Sequence, residues 1–143
     1  MPYLTRITIR LAMLYLILGI TAWTLYWIDL TWEISVNLSA LKPIGIHFIT
    51  IGWLTQLIFA VIYWMFPIIS RDNPRGDVWI AWFGLGALNL GLIFRAIFEF
   101  GLTQGMPQNV GWGLVGAGLL QWSGATAWII VNWGRVRKTG ANR

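Results

Sequence analysis

Four apolar runs, each about as long as a lipid bilayer is thick, are separated by short stretches rich in proline, glycine and charge: residues 8–28, 44–66, 78–100 and 112–133. A helix needs about 20 residues to cross the hydrocarbon layer. Inside that layer every backbone N–H and C=O must find its partner within the protein, so such runs fold as helices. Hydrophobic residues fill 57% of the 143 positions and charged residues 10%, which leaves no stretch able to form a separate soluble domain. The expectation is an all-α integral membrane protein, a four-helix transmembrane bundle forming one domain over 1–143.

Punctuation and charge give the runs a direction. Pro43 stands where a helix tolerates proline, in its first turn, and Pro67 stands where the second helix must stop. The loop from Ser70 to Asp77 is basic and turn-forming, whereas the connection from Gly101 to Asn109 carries no charge. Arg6, Arg10, Arg71, Arg75, Arg135, Arg137, Lys138 and Arg143 fall on one side of the layer, eight of the ten basic residues, leaving Lys42 and Arg95 elsewhere. The positive-inside rule then places both termini in the cytoplasm, with a prokaryotic plasma membrane as the expected location. Asp29 and Glu33 mark the outer end of the first run, which is read as retained, not as a cleaved signal. Trp27, Trp32 and Trp112 near one interface, and Trp64, Trp79 and Trp133 near the other, suit the amphipathic belts at membrane surfaces. A net charge of +5 is explained by this topology, and the basic residues do not gather into a nucleic-acid surface.

There is no cysteine, which removes disulfides, covalent haem attachment, iron–sulfur ligation and thiolate copper sites together. Glycine is plentiful in the third and fourth runs, at Gly84, Gly86, Gly91, Gly111, Gly113, Gly116, Gly118 and Gly124. In lipid, small residues let helix backbones approach closely and supply association energy that apolar burial cannot. These helices are expected to pack tightly, against each other or against other copies of the chain, with Asn89 and Gln121 hydrogen-bonding across the contacts.

The only histidine, His47, lies about 6 Å beyond Pro43 along the second helix. An ionisable group at such a place is a candidate functional site, and imidazole is the commonest metal ligand. Arg95 and Glu99 lie at a similar depth in the third run, one helical turn apart. Two readings are open. Arg95 and Glu99 form an internal ion pair and His47 is a hydrogen-bonded interfacial residue; or His47 ligates haem iron and Arg95, whose planar fork suits carboxylates, holds a haem propionate. Ile51, Leu54, Ile58 and Met65 follow His47 at helical steps and could wall a porphyrin.

The segment Pro43-Ile44-Gly45-Ile46-His47-Phe48-Ile49-Thr50-Ile51-Gly52-Trp53-Leu54-Thr55-Gln56, continuing through Phe59 and Tyr63-Trp64-Met65-Phe66-Pro67, resembles a histidine helix of the main subunit of the haem-copper oxidase superfamily, in its C-type and nitric-oxide-reductase-like branches. The resemblance covers about one span. That subunit is built from four-helix arcs whose second helix carries the metal-binding histidine, and here His47 is on the second of four helices. The resemblance thus implies a single arc standing alone, which a homo-oligomer, trimer or dimer, would complete. It departs from the family in having one histidine, too few for oxygen reduction, so no copper is expected and haem b is the cofactor implied.

The preferred expectation is a membrane b-type haem protein for electron transfer or for haem or gas binding, with His47 as iron ligand and Arg95 as propionate partner. Turnover by the isolated chain is left open. The second ligand is open among His47 of another copy, a water or gas molecule, and Met106. The alternative is a cofactor-free structural or assembly subunit of a respiratory complex, and respiratory-chain partners fit either reading. A channel is disfavoured, because Asn89, Gln121, Gln56 and Thr55 do not line one path.

Overall fold

The computed structural model describes residues 1–32, 38–69, 71 and 74–136. Glu33, Ser70, Asp72, Asn73, Arg137, Lys138 and Arg143, used above to orient the chain, lie outside the described residues. All regular structure among the described residues is helical, and four helical segments are long and apolar enough to cross a membrane, as in an integral membrane protein.

Helix α1 (Tyr3–Trp32) is longer than its apolar run. Thirty residues rise about 45 Å, beyond the roughly 30 Å of hydrocarbon. Hydropathy marks the apolar thickness, but Arg6 and Arg10 do not break the helix; they extend it toward the polar region. Thr8 donates its hydroxyl to the Leu4 carbonyl at 2.8 Å and Thr24 donates to Ile20 at 2.9 Å, so these polar groups are satisfied one turn back.

The second span is not one regular helix. It begins as α2 (Leu41–His47), widens into a π-helical segment over Phe48–Thr55, and returns to α-helix as α3 (Gln56–Met65). Within the wide segment Thr55 donates to the carbonyl of Thr50, five residues back, at 2.8 Å. The π segment presses against α1 through small residues. A Cβ on Gly52 would lie 2.6 Å from the Tyr15 ring, and Gly19 and Gly45 approach so closely that a Cβ on either would lie 3.3 or 3.1 Å from the carbonyl oxygen of the other. Phe66 then takes an extended conformation (ψ 149°), as a residue before proline does, and the span ends.

Helices α4 (Val78–Thr103) and α5 (Trp112–Trp133) form the tightest pair. The Asp77 carboxylate caps α4 by accepting the Trp79 N–H at 2.9 Å. At its other end Gly105 takes φ +91°, and Met106 N–H and Gly105 N–H reach back to the carbonyls of Gly101 and Leu102. This double return is the Schellman arrangement, for which glycine alone has no steric penalty. The chain turns through a short 3-10 segment (Gln108–Gly111) into α5. Cβ atoms on Gly84 and Gly124 would lie 3.1 and 2.9 Å from each other's carbonyl oxygens, and one on Gly91 would lie 2.8 Å from that of Ala117. The glycine-rich sequence therefore packs backbone on backbone. It does so at only half of the positions singled out: Gly84, Gly91, Gly113 and Gly124 are crowded, whereas Gly86, Gly111, Gly116 and Gly118 face open space.

The core sits toward the end where α1 begins and α5 finishes. There Trp128, fully buried, stacks on Phe59 (5.7 Å, 8°) and meets Tyr63 edge-on (5.6 Å, 89°), with Leu4, Leu85, Leu88 and Val131 around them. The six tryptophans assigned to interfacial belts are all exposed. Trp128 has a different role, as the bulk that fills the core opposite Gly84.

Candidate functional site

His47 ends α2, immediately before the π segment, and is half-buried. Its Nδ1 lies 2.9 Å from the Pro43 carbonyl oxygen. A carbonyl can only accept, so Nδ1 carries a proton, and in the neutral imidazole Nε2 is then the nitrogen with the lone pair. Proline makes this possible twice over: it starts the helix, and its carbonyl one turn before the ring receives the imidazole. The arrangement is the one by which a metal-binding histidine is held in the correct tautomer and orientation.

Arg95 and Glu99 form an ion pair, Nε to Oε2 at 3.2 Å, with both side chains mostly buried. Both atoms are shielded, and the N–H direction is too poor to count as a hydrogen bond, so the contact is Coulombic more than directional. Among the described residues no hydrogen bond joins His47 to Arg95. Each is held within its own helix, which leaves both open readings of the pair standing. The chain's one histidine can give one imidazole, and no three of His, Asp and Glu gather among the described residues.

The aliphatic wall expected beside His47 is divided. Ile51 packs against the core, while Leu54, Ile58 and Met65 are 46%, 47% and 69% exposed. Steps counted at the α-helical period do not survive the wider turn of the π segment, which rotates the later residues relative to the earlier ones. Met106 is engaged elsewhere: its thioether lies over Gly101, completing the turn after α4. A second ligand from this residue would have to leave that seat.

Two polar features deeper in the molecule were only partly legible. Gln56 and Asn89 exchange amide hydrogen bonds between α3 and α4, 3.2 Å for Asn89 Nδ2 to Gln56 Oε1 and 3.5 Å in return. Asn89 thus bonds between helices, but to the second span and not across the glycine-rich contact of α4 and α5; Gln121, whose Cγ packs at Gly91 in that contact, has its buried side-chain nitrogen without a partner.

Arg135 has a structural role that the charge count did not anticipate. Counted as a topological charge in the tail, it is 1% exposed. Its guanidinium donates to the carbonyls of Phe66 (2.7 Å) and Pro67 (3.1 Å) and to Oδ1 of Asn132 (3.1 Å), and stands 5.4 Å from the Tyr63 ring. Pro67 ends the second span and leaves carbonyls without helical donors, and the fork of Arg135 supplies them. Burial pushes its pKa below the usual arginine range, and the Arg75 charge adds to that shift, against a smaller opposing effect of Tyr63. The signal in the sequence was the helix-stopping proline, which announces orphaned carbonyls without saying which residue will reach them.

Comparison of the chain with protein-family models, with curated proteins and with solved structures gives no match.

Proposed function

We propose that this chain is a membrane b-type haem-binding protein in which His47 Nε2 would hold the haem iron. The observation that supports the reading is the bond between Nδ1 and the Pro43 carbonyl, which fixes the tautomer and leaves Nε2 basic and available. The resemblance of the Pro43 to Pro67 segment to a histidine helix of the haem-copper oxidase main subunit supports it further. Bound haem supplies an iron that carries an electron or takes up a diatomic gas. In this reading Arg95, already oriented by Glu99 through Nε, turns its remaining N–H groups to a propionate carboxylate.

One chain provides one imidazole, and the face of the second span beyond His47 is exposed, so the haem is completed by a second copy, as dimer or trimer. Both termini face the cytoplasm of a prokaryotic plasma membrane, as the distribution of Arg6, Arg10, Arg71, Arg75 and Arg135 favours. Copper is not part of the site, and oxygen is not reduced by this chain alone.

The test is the visible absorption of protein purified after expression with ample haem. A Soret band is expected in the wild type and is lost in His47→Ala. A folded, colourless wild-type protein would favour the cofactor-free subunit reading, with which the local pairing of Arg95 and Glu99 agrees equally well.

A further inference from the structure

The first turns of α1 and α4 and the end of α3 enclose a pocket of about 230 Å³, lined by Tyr3, Leu4, Tyr63, Arg75, Val78 and Trp82 among others. At roughly 30 Å³ per water it has room for several waters, and hence for a phosphate group. Its walls are mostly apolar and aromatic, with Tyr3 and Trp82 rings 6.3 Å apart. Its charge is of one sign. The Arg75 and Arg135 guanidiniums stand 6.0 and 5.4 Å from the Tyr63 ring, and Arg6 stands 5.8 Å from the Tyr3 ring. Among the described residues no carboxylate pairs with these three arginines, since Asp77 is used in capping α4. Arg75 Nε is shielded yet unpartnered, and Thr5, in the same turn of α1, is fully buried with its hydroxyl unpartnered. The starts of α1 and α4 add the partial positive charge of two helix N-termini.

Arg135 already donates to three oxygens and Arg6 is exposed, so the group left without a partner is the shielded Nε of Arg75, where an anion would also feel the other two positive charges. Tyrosine and tryptophan at the ends of membrane helices mark headgroup depth, and basic pockets between helices there recognise acidic lipids. We propose that this pocket binds the phosphate of an anionic phospholipid headgroup, held by Arg75 between the first turns of α1 and α4, with Arg6 and Arg135 framing it. This site is distinct from that of His47 and does not depend on haem.

The full chain in detergent is titrated with phosphatidylglycerol and with phosphatidylcholine of the same acyl chains, and retained lipid is read by native mass spectrometry. The wild type should retain phosphatidylglycerol preferentially. Arg75→Gln should weaken its binding about fivefold, the effect of removing one basic residue at a lipid headgroup, and leave phosphatidylcholine unchanged. Val78→Trp, which keeps every charge and fills the pocket, should also lower it, and it decides the matter if Arg75→Gln does not fold. Equal retention of the two lipids, or an undiminished preference in the folded variants, would overturn the proposal. Displacement of the lipid by millimolar inorganic phosphate would overturn the lipid assignment in favour of free phosphate.

Discussion

The two ends of the bundle use polar groups in opposite ways. At the end where α1 begins, Arg135 reaches carbonyls 68 and 69 residues earlier in the chain and ties α5 to the exit of α3. At the other end, His47 bonds to Pro43 and Arg95 pairs with Glu99, each four residues away on its own helix. Long-range bonds hold a fold together, because breaking them frees whole elements. Local bonds orient a side chain without committing it to a neighbour. The first end thus ties distant elements together, and at the second each polar side chain is held within its own helix.

The largest expected effect lies at the first end. Arg135→Ala leaves the Phe66 and Pro67 carbonyls and the Asn132 amide oxygen without their donor, and unsatisfied buried groups cost roughly 1–3 kcal/mol each. A loss of about 3 kcal/mol is expected in thermal or denaturant unfolding in detergent, with Arg135→Lys recovering little, since an ammonium cannot span the same acceptors. Near-normal stability of Arg135→Ala would dissolve the contrast between the ends.

Next come the glycines of α5. A methyl at Gly124 meets the Leu88 backbone nitrogen at 2.8 Å and the Gly84 oxygen at 2.9 Å, both backbone, so Gly124→Ala must push α4 and α5 apart. About 1–3 kcal/mol is the usual cost of such overpacking. Gly116→Ala meets open space and should be neutral or stabilising by up to about 1 kcal/mol, because alanine restricts the unfolded chain. Equal melting temperatures for the two variants would contradict the packing described.

Gln56→Leu comes third. It leaves Oδ1 of Asn89 without its cross-helix donor, while Nδ2 keeps the Leu85 carbonyl at 2.7 Å, and should cost about 1 kcal/mol; adding Asn89→Leu should restore part of the loss, as removal of both partners leaves neither amide unsatisfied. A double-mutant cycle measures the coupling, and strictly additive losses would show that the amides do not depend on each other. The smallest stability effect is expected at the second end: His47→Ala removes one local hydrogen bond, worth about 1 kcal/mol or less.

The sequence revealed most where one segment decides its own structure. Four runs of bilayer length became four long helices, Pro67 ended the second, and Arg95 and Glu99, a turn apart, form their ion pair. Boundaries shifted where charge and helix part company: α1 runs from Tyr3 through Arg6 and Arg10 because terminal turns can carry charge into headgroups. The π segment left no trace, since Phe48 to Thr55 reads like any apolar helix, and the packing of Gly52 on Tyr15 appears only in three dimensions. The structural role of Arg135 was hidden for a related reason. Its partners are distant in sequence, and a basic residue after a span looks like a topological signal whether it meets water or a carbonyl. At the candidate site the imidazole and its helix-opening proline were legible, but the bond between them, which sets the tautomer, appears only in three dimensions.

The most direct test of the haem assignment replaces the side chain and then returns it. In His47→Gly the Soret band of the reconstituted protein should disappear, and free imidazole added to the solution should restore it by occupying the position that Nε2 leaves. A band unchanged by His47→Gly, with no response to imidazole, would place the iron on another ligand and contradict the account.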